Sequence, residues 1–128
     1  MKTSIKLSLL FIILLFTSCS MFGPEYDADI EVTSYNYNSS KKEVKVNLKI
    51  TNIGRKKVDY IRMLIAVKDS KDFTYEDWRN WFVYLDPNES TTRYTYIDVG
   101  LNNIKKVWIK EYQVEWNILI KNLTTGWR

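Results

Sequence analysis

The chain has 128 residues, 19 basic and 15 acidic, for a formal charge of +4, with one cysteine and no histidine. The absence of histidine removes the usual general base, the commonest metal ligand and the histidine-dependent triads. A single cysteine excludes an internal disulfide framework and zinc–thiolate sites.

The N-terminus places Lys2 and Lys6 ahead of an almost wholly apolar run, residues 7–16. This order is that of a secretory signal, and the run is shorter than the roughly 20 residues that span a bilayer. Phe16-Thr17-Ser18-Cys19 follows and resembles a bacterial lipobox. Phe16 in place of Leu and Ser18 in place of Ala or Gly depart from the usual pattern. The resemblance implies a lipid on the Cys19 sulfur and a mature chain that starts there. A thiolate is the nucleophile that accepts such a group, and acyl chains at about 0.8 kcal/mol per buried methylene hold a domain on a membrane. The plainer alternatives are an ordinary secretory signal with an incidental cysteine, or an uncleaved anchor helix. The expected organisation is a lipoprotein signal peptide over 1–18, a lipidated tether over 19–28, one domain over 29–121 and a tail over 122–128.

Without Lys2 and Lys6 the 19 basic residues fall to 17, against 15 acidic. A domain so close to neutrality lacks the clustered basic face expected of a nucleic-acid binder, so no nucleic-acid partner is expected, and no cofactor.

Past the tether the pattern is two-residue alternation broken by turn signals, which argues strands. Residues 29–37 place Ile30, Val32 and Tyr35 inward, and 36–42 read as a turn. Residues 43–51 are the clearest strand: Val44, Val46, Leu48 and Ile50 face one way, Lys45, Asn47 and Lys49 the other. Asn52-Ile53-Gly54 closes it, with Gly54 expected at the positive φ of a hairpin turn. In 57–68, Ile61, Met63, Ile65 and Val67 alternate while Leu64 and Ala66 are also apolar, so this strand is expected to be covered on both sides. Residues 69–80 read as a polar loop with a helical turn over 75–79, and 81–85 as a short strand. A turn over 86–89, a strand over 90–99 and a turn over 100–103 follow. Residues 106–120 read as a long strand or strand pair. Their inward set shifts from Val107 and Ile109 to Tyr112, Val114, Trp116 and Ile118, which predicts a bulge near Lys110-Glu111. Regular strands and turns point to an all-β, two-sheet antiparallel sandwich of about seven strands.

EVKVNLKITNIGRKKVDYIRMLIAVKD followed by LDPNESTTRYTY resembles the small immunoglobulin-like β-sandwich domains of bacterial envelope proteins, including those of FxLYD type. The shared features are Asn52-Ile53-Gly54, Asp69, and Leu85-Asp86-Pro87-Asn88-Glu89-Ser90. Asn88 stands where Gly is usual, and Asn tolerates positive φ next best. Ile65-Ala66-Val67-Lys68-Asp69 stands where the family has its Phe-x-Leu-Tyr-Asp motif. The resemblance implies a binding or spacing module at the cell envelope, not an enzyme, and fold alone fixes no function.

Phe73, Tyr75, Trp78, Trp81, Phe82 and Tyr84 crowd one stretch. If one face of it is exposed, Trp78, Phe82 and Tyr84 are the candidate partner-binding residues; in the plainer reading, Trp81 or Phe82 enters the core and the rest cover the sandwich edge. Asp69, Asp72, Glu76 and Asp77 could hold calcium, but their spacing does not fit a calcium loop, and a solvated acidic loop is the plainer reading. Lys41, Lys42, Lys45, Lys49 and Arg55-Lys56-Lys57 could meet anionic headgroups or simply discourage edge pairing. Tyr94, Tyr96, Tyr112 and Trp116 are expected to pair across adjacent strands. The expectation is therefore a lipid-anchored, non-enzymatic envelope protein, held on the membrane through Cys19 and contacting another protein. The alternatives are a spacer without ligand and a small polysaccharide hydrolase, the latter needing two convergent carboxyls.

Overall fold

The computed structural model describes residues 23–116 and 119–122. Cys19 and the signal sequence lie outside the described residues, as does 123–128. The described residues form strands β1 (Ala28–Asn38), β2 (Glu43–Asn52), β3 (Val58–Asp69), β4 (Thr74–Leu85), β5 (Ser90–Asp98), β6 (Ile104–Val114) and a short β7 (Leu119–Asn122), with no helix among them. β1, β2 and β5 make one antiparallel sheet in that spatial order, and β4, β3, β6 and β7 make the other. The chain is thus an all-β sandwich of two antiparallel sheets.

The core follows from alternation. Val44, Val46, Leu48 and Ile50 of β2 meet Ile61, Met63, Ile65 and Val67 of β3, together with Val107, Ile109, Tyr112 and Val114 of β6. Each fully buried aliphatic side chain contributes about 1.5–3 kcal/mol relative to exposure. Two bulges keep the pattern in register. One at Thr33 moves the inward set of β1 from Ile30 and Val32 to Tyr35 and Tyr37. The other, at Lys110, moves that of β6 from Ile109 to Tyr112, as the sequence predicts.

Several expectations need correction. Of residues 69–80 only 70–73 form a turn, and there is no helical turn: Thr74 to Leu85 is one strand paired with β3 along its length. The chain reverses tightly because the Asp69 carboxylate accepts hydrogen bonds from the backbone N–H of Lys71 (2.9 Å) and Phe73 (3.0 Å), with Asp72 at φ 65°. Asn52-Ile53-Gly54 is not a hairpin turn, since β2 and β3 belong to different sheets, and Gly54 does not adopt positive φ. Glycine is needed there for space. A Cβ would lie 2.6 Å from the Glu25 carbonyl oxygen and 2.7 Å from the Asp27 nitrogen.

That crowding exists because the second half of the expected tether is docked. Ile53, Arg55 and Lys56 donate backbone hydrogen bonds to the carbonyls of Asp27, Pro24 and Glu25 at 3.2, 3.2 and 2.9 Å. Ala28 already belongs to β1 and is buried. Buried Asp27 accepts a 2.6 Å hydrogen bond from the Tyr112 hydroxyl. Burial, then the bond to and charge of Asp27, push the Tyr112 phenol up.

Candidate binding surface

The outer face of the β4-β3-β6 sheet is where the aromatic residues gather. Register sets the columns: Tyr60 opposes Phe82, Leu64 opposes Trp78, and Ala66 opposes both Glu76 and Trp108. Leu64 and Ala66 are buried although they face outward. The half-buried rings of Trp78 and Trp108 flank this row. The double cover expected for β3 is therefore supplied by its own neighbours within the sheet.

At the end of the face nearest the N-terminal segment the rings are exposed. The Trp116 ring stacks on Tyr60 at 4.3 Å and 8°, and Phe82 tilts against Tyr60 at 5.5 Å. Tyr84 continues the row, stacked beside Phe82 at 6.0 Å. Tyr60 is buried beneath this cluster, while Phe82, Tyr84 and Trp116 are 53%, 61% and 66% exposed. Of the candidate residues, Phe82 and Tyr84 come together as expected. Trp78 shares their face but stands further along β4, half-buried, with the Arg62 guanidinium 4.2 Å from its ring centre.

Two members of the cluster escape the sequence reading. For Tyr60 the missed signal is alternation from Ile61, which puts it on the outer face. Trp116 is a correction: alternation from Val114 sends it inward, but Glu115 takes φ 59° and turns the ring onto Tyr60. Glu115 is held by its N–H to the Tyr60 carbonyl and by its carboxylate, which accepts from the backbone N–H groups of Asp59 and Tyr60. Tyr84 is also left-handed, at φ 47°, in a bulge where Val58 and Tyr60 pair with Leu85 and Phe82. A bulky residue at positive φ costs about 1–3 kcal/mol, and bulges re-aim side chains.

The expected cross-strand set does not form. β5 and β6 lie in different sheets; Tyr112 is core, and Tyr94 and Tyr96 contact each other edge-on within β5 at 6.0 Å. Trp81 and Tyr75 are the rings of β4 that lean on the core, both half-buried.

The acidic set is dispersed into structural roles. Asp72 pairs with Lys105 (3.1 Å), Glu76 with Lys110 (2.7 Å) and Asp77 with Arg79 (2.8 Å). The bond from Lys110 to Glu76, with that carboxylate's charge, holds the ammonium above its usual pKa. Asp69 is buried at the opposite end of the sandwich. Burial alone would raise its pKa, but hydrogen bonds from Asn102, the backbone of Phe73 and Lys71, and the Tyr75 hydroxyl prevail and hold it below the ordinary value of 3.8. Among the described residues no group of three or more acidic or cysteine side chains is placed to hold a metal ion.

The other outer face, on β1-β2-β5, mixes polar side chains with the exposed rings of Tyr94 and Tyr96. It carries a shallow depression of about 470 Å³ bounded by Thr33, Ser34, Asn47, Thr92 and Tyr94. Lys45 lies 4.7 Å from the Tyr94 ring centre.

Among solved structures the chain is similar to a crystal structure from Bordetella pertussis of a protein given the provisional name ApaA. The two are 17% identical with a TM-score of 0.58, over 81% of this chain and 94% of that one. At that identity the likeness shows the fold alone. No protein-family model matches the sequence, and no curated protein matches it.

Proposed function

We propose that the chain is a lipid-anchored protein of the bacterial envelope whose immunoglobulin-like sandwich binds a protein partner without catalysis. The observation that carries the binding role is the cluster of exposed rings, Phe82, Tyr84 and Trp116, laid over buried Tyr60 on one sheet face. Rigid aromatics grouped over a supporting ring are the usual anchors of a protein interface. A spacer without a ligand has no use for them. Three hairpins, β1-β2, β3-β4 and β6-β7, linked through crossings between the two sheets, with β2 paired to β5 and β3 to β6, support the immunoglobulin-like reading. The carboxylates of residues 69–77 are engaged in ion pairs and a turn network, which favours a binder over a hydrolase.

The anchor and the surface are tested separately. Cys19→Ala abolishes incorporation of labelled fatty acid and releases the protein from membranes; continued labelling would refute the lipid attachment. Phe82→Ala with Trp116→Ala removes the partner adduct formed by chemical crosslinking in cells, whereas Tyr94→Ala with Tyr96→Ala on the opposite sheet leaves it. An adduct indifferent to the first pair would refute the surface.

A further inference from the structure

We infer that the partner is held at the same membrane surface and meets the aromatic cluster from the side; this rests on the proposed Cys19 anchor. Three residues, and so four Cα–Cα steps, separate Cys19 from Gly23, where the described chain begins. Fully extended, they span at most about 14 Å. From Pro24 onward the backbone is hydrogen-bonded to the turn between β2 and β3, and the Arg55 guanidinium donates to the Gly23 carbonyl at 2.7 Å. This stretch therefore adds no slack.

The aromatic cluster lies at that same end of the sandwich. β1 starts there; β2, β4 and β6 end there; and β3 starts there. Phe82 is three residues from the end of β4 and Tyr60 two from the start of β3, on the order of 10 Å by strand rise. The domain cannot carry its rings far from the bilayer.

The rings are not themselves aimed at lipid. They lie on the side of the sheet, while the turns at that end carry mixed charge: Glu25, Arg55, Lys56, Asp86 and Glu89 are exposed. Acidic side chains resist contact with an anionic leaflet. The exposed face therefore looks along the membrane plane, toward a neighbour in the same layer. That neighbour presents an apolar side chain to Phe82, Tyr84 and Trp116. Beside it stands a carboxylate, because Lys57 lies 5.9 Å from the Tyr84 ring centre and exposed Arg62 covers Trp78. The one carboxylate of the cluster's own turn, Glu115, is directed at backbone amides.

The test uses the full chain in cells with a benzophenone amino acid at position 82 or 84. It compares the native tether with one lengthened by twenty Gly/Ser residues between Ser20 and Gly23. The expected result is an adduct with a protein that stays in the washed membrane fraction. Its yield falls about tenfold with the long tether, as effective concentration drops with roughly the 3/2 power of length. An adduct with lipid, with a soluble protein or with a second copy of this chain overturns the inference. So does a yield that ignores tether length, or no adduct from either position. Cys19→Ala separates the two readings: if that variant stays on the membrane with its adduct intact, the anchor fails while the aromatic surface stands.

Discussion

Tyr84 sits where a side chain is least welcome. Its φ of 47° is a conformation that glycine adopts without strain, and its ring is left 61% exposed, so the residue costs backbone energy and recovers little by burial. Tyr84→Gly should leave the domain as stable as the parent or more stable, by up to about 1 kcal/mol, in a denaturant titration. Asp69 shows the opposite economy: its carboxylate holds its own turn through the Lys71 and Phe73 amides and ties it to Asn102 of the β5–β6 connection. Its folded pKa lies below the ordinary 3.8. Its contribution is therefore complete above that value and is lost as pH falls through the lower, folded one. Asp69→Asn should lower the unfolding midpoint near neutral pH, and the gap from the parent should narrow as the pH falls below 3.8. A gap that widens in acid would contradict the assignment.

At the scale of elements, the N-terminal segment behaves as part of the sandwich. Gly54→Ala forces a Cβ into the backbone of Glu25 and Asp27 and should cost about 1–3 kcal/mol, visible as a lowered midpoint with an unchanged denaturant slope. A chain that begins at Ala28 should be less stable than one that begins at Gly23, because it loses the bonds to residues 53–56 and strips Tyr112 of its buried acceptor. The strands themselves were largely legible. Val44 to Ile50 alternate cleanly, the apolar run Ile61 to Val67 marks a strand covered on both sides, and the shifted inward set of β6 gave away its bulge. β4 was not legible, because its first half puts Asp77 and Arg79 on the core-facing side. Such residues suit that position only because the β4 and β5 edges lie together there. Arg79 crosses the gap to the Thr95 hydroxyl and the Tyr96 carbonyl, both at 2.8 Å. Gly54 misled for a related reason: its sequence signal is the same whether the need is for positive φ or for room.

For the whole molecule, the end of the sandwich where the chain enters is also the end that carries the exposed cluster of Phe82, Tyr84 and Trp116. Phe82 and Tyr84 could be chosen from the sequence because they stand among so many aromatics. Trp116 could not, since its direction depends on a left-handed glutamate that no local pattern announces. The proposal that this cluster binds, rather than merely caps the sheet, is tested most directly by one comparison. Parent and a Phe82→Ser, Tyr84→Gly double variant are crosslinked with formaldehyde in intact cells, and the purified proteins are melted in parallel. The expected result is that the partner adduct disappears while the midpoint moves by no more than about 4–8 °C, the shift of about 1 kcal/mol in a domain this size. An undiminished adduct, or a midpoint that collapses along with it, would contradict a binding role and leave the rings as structure.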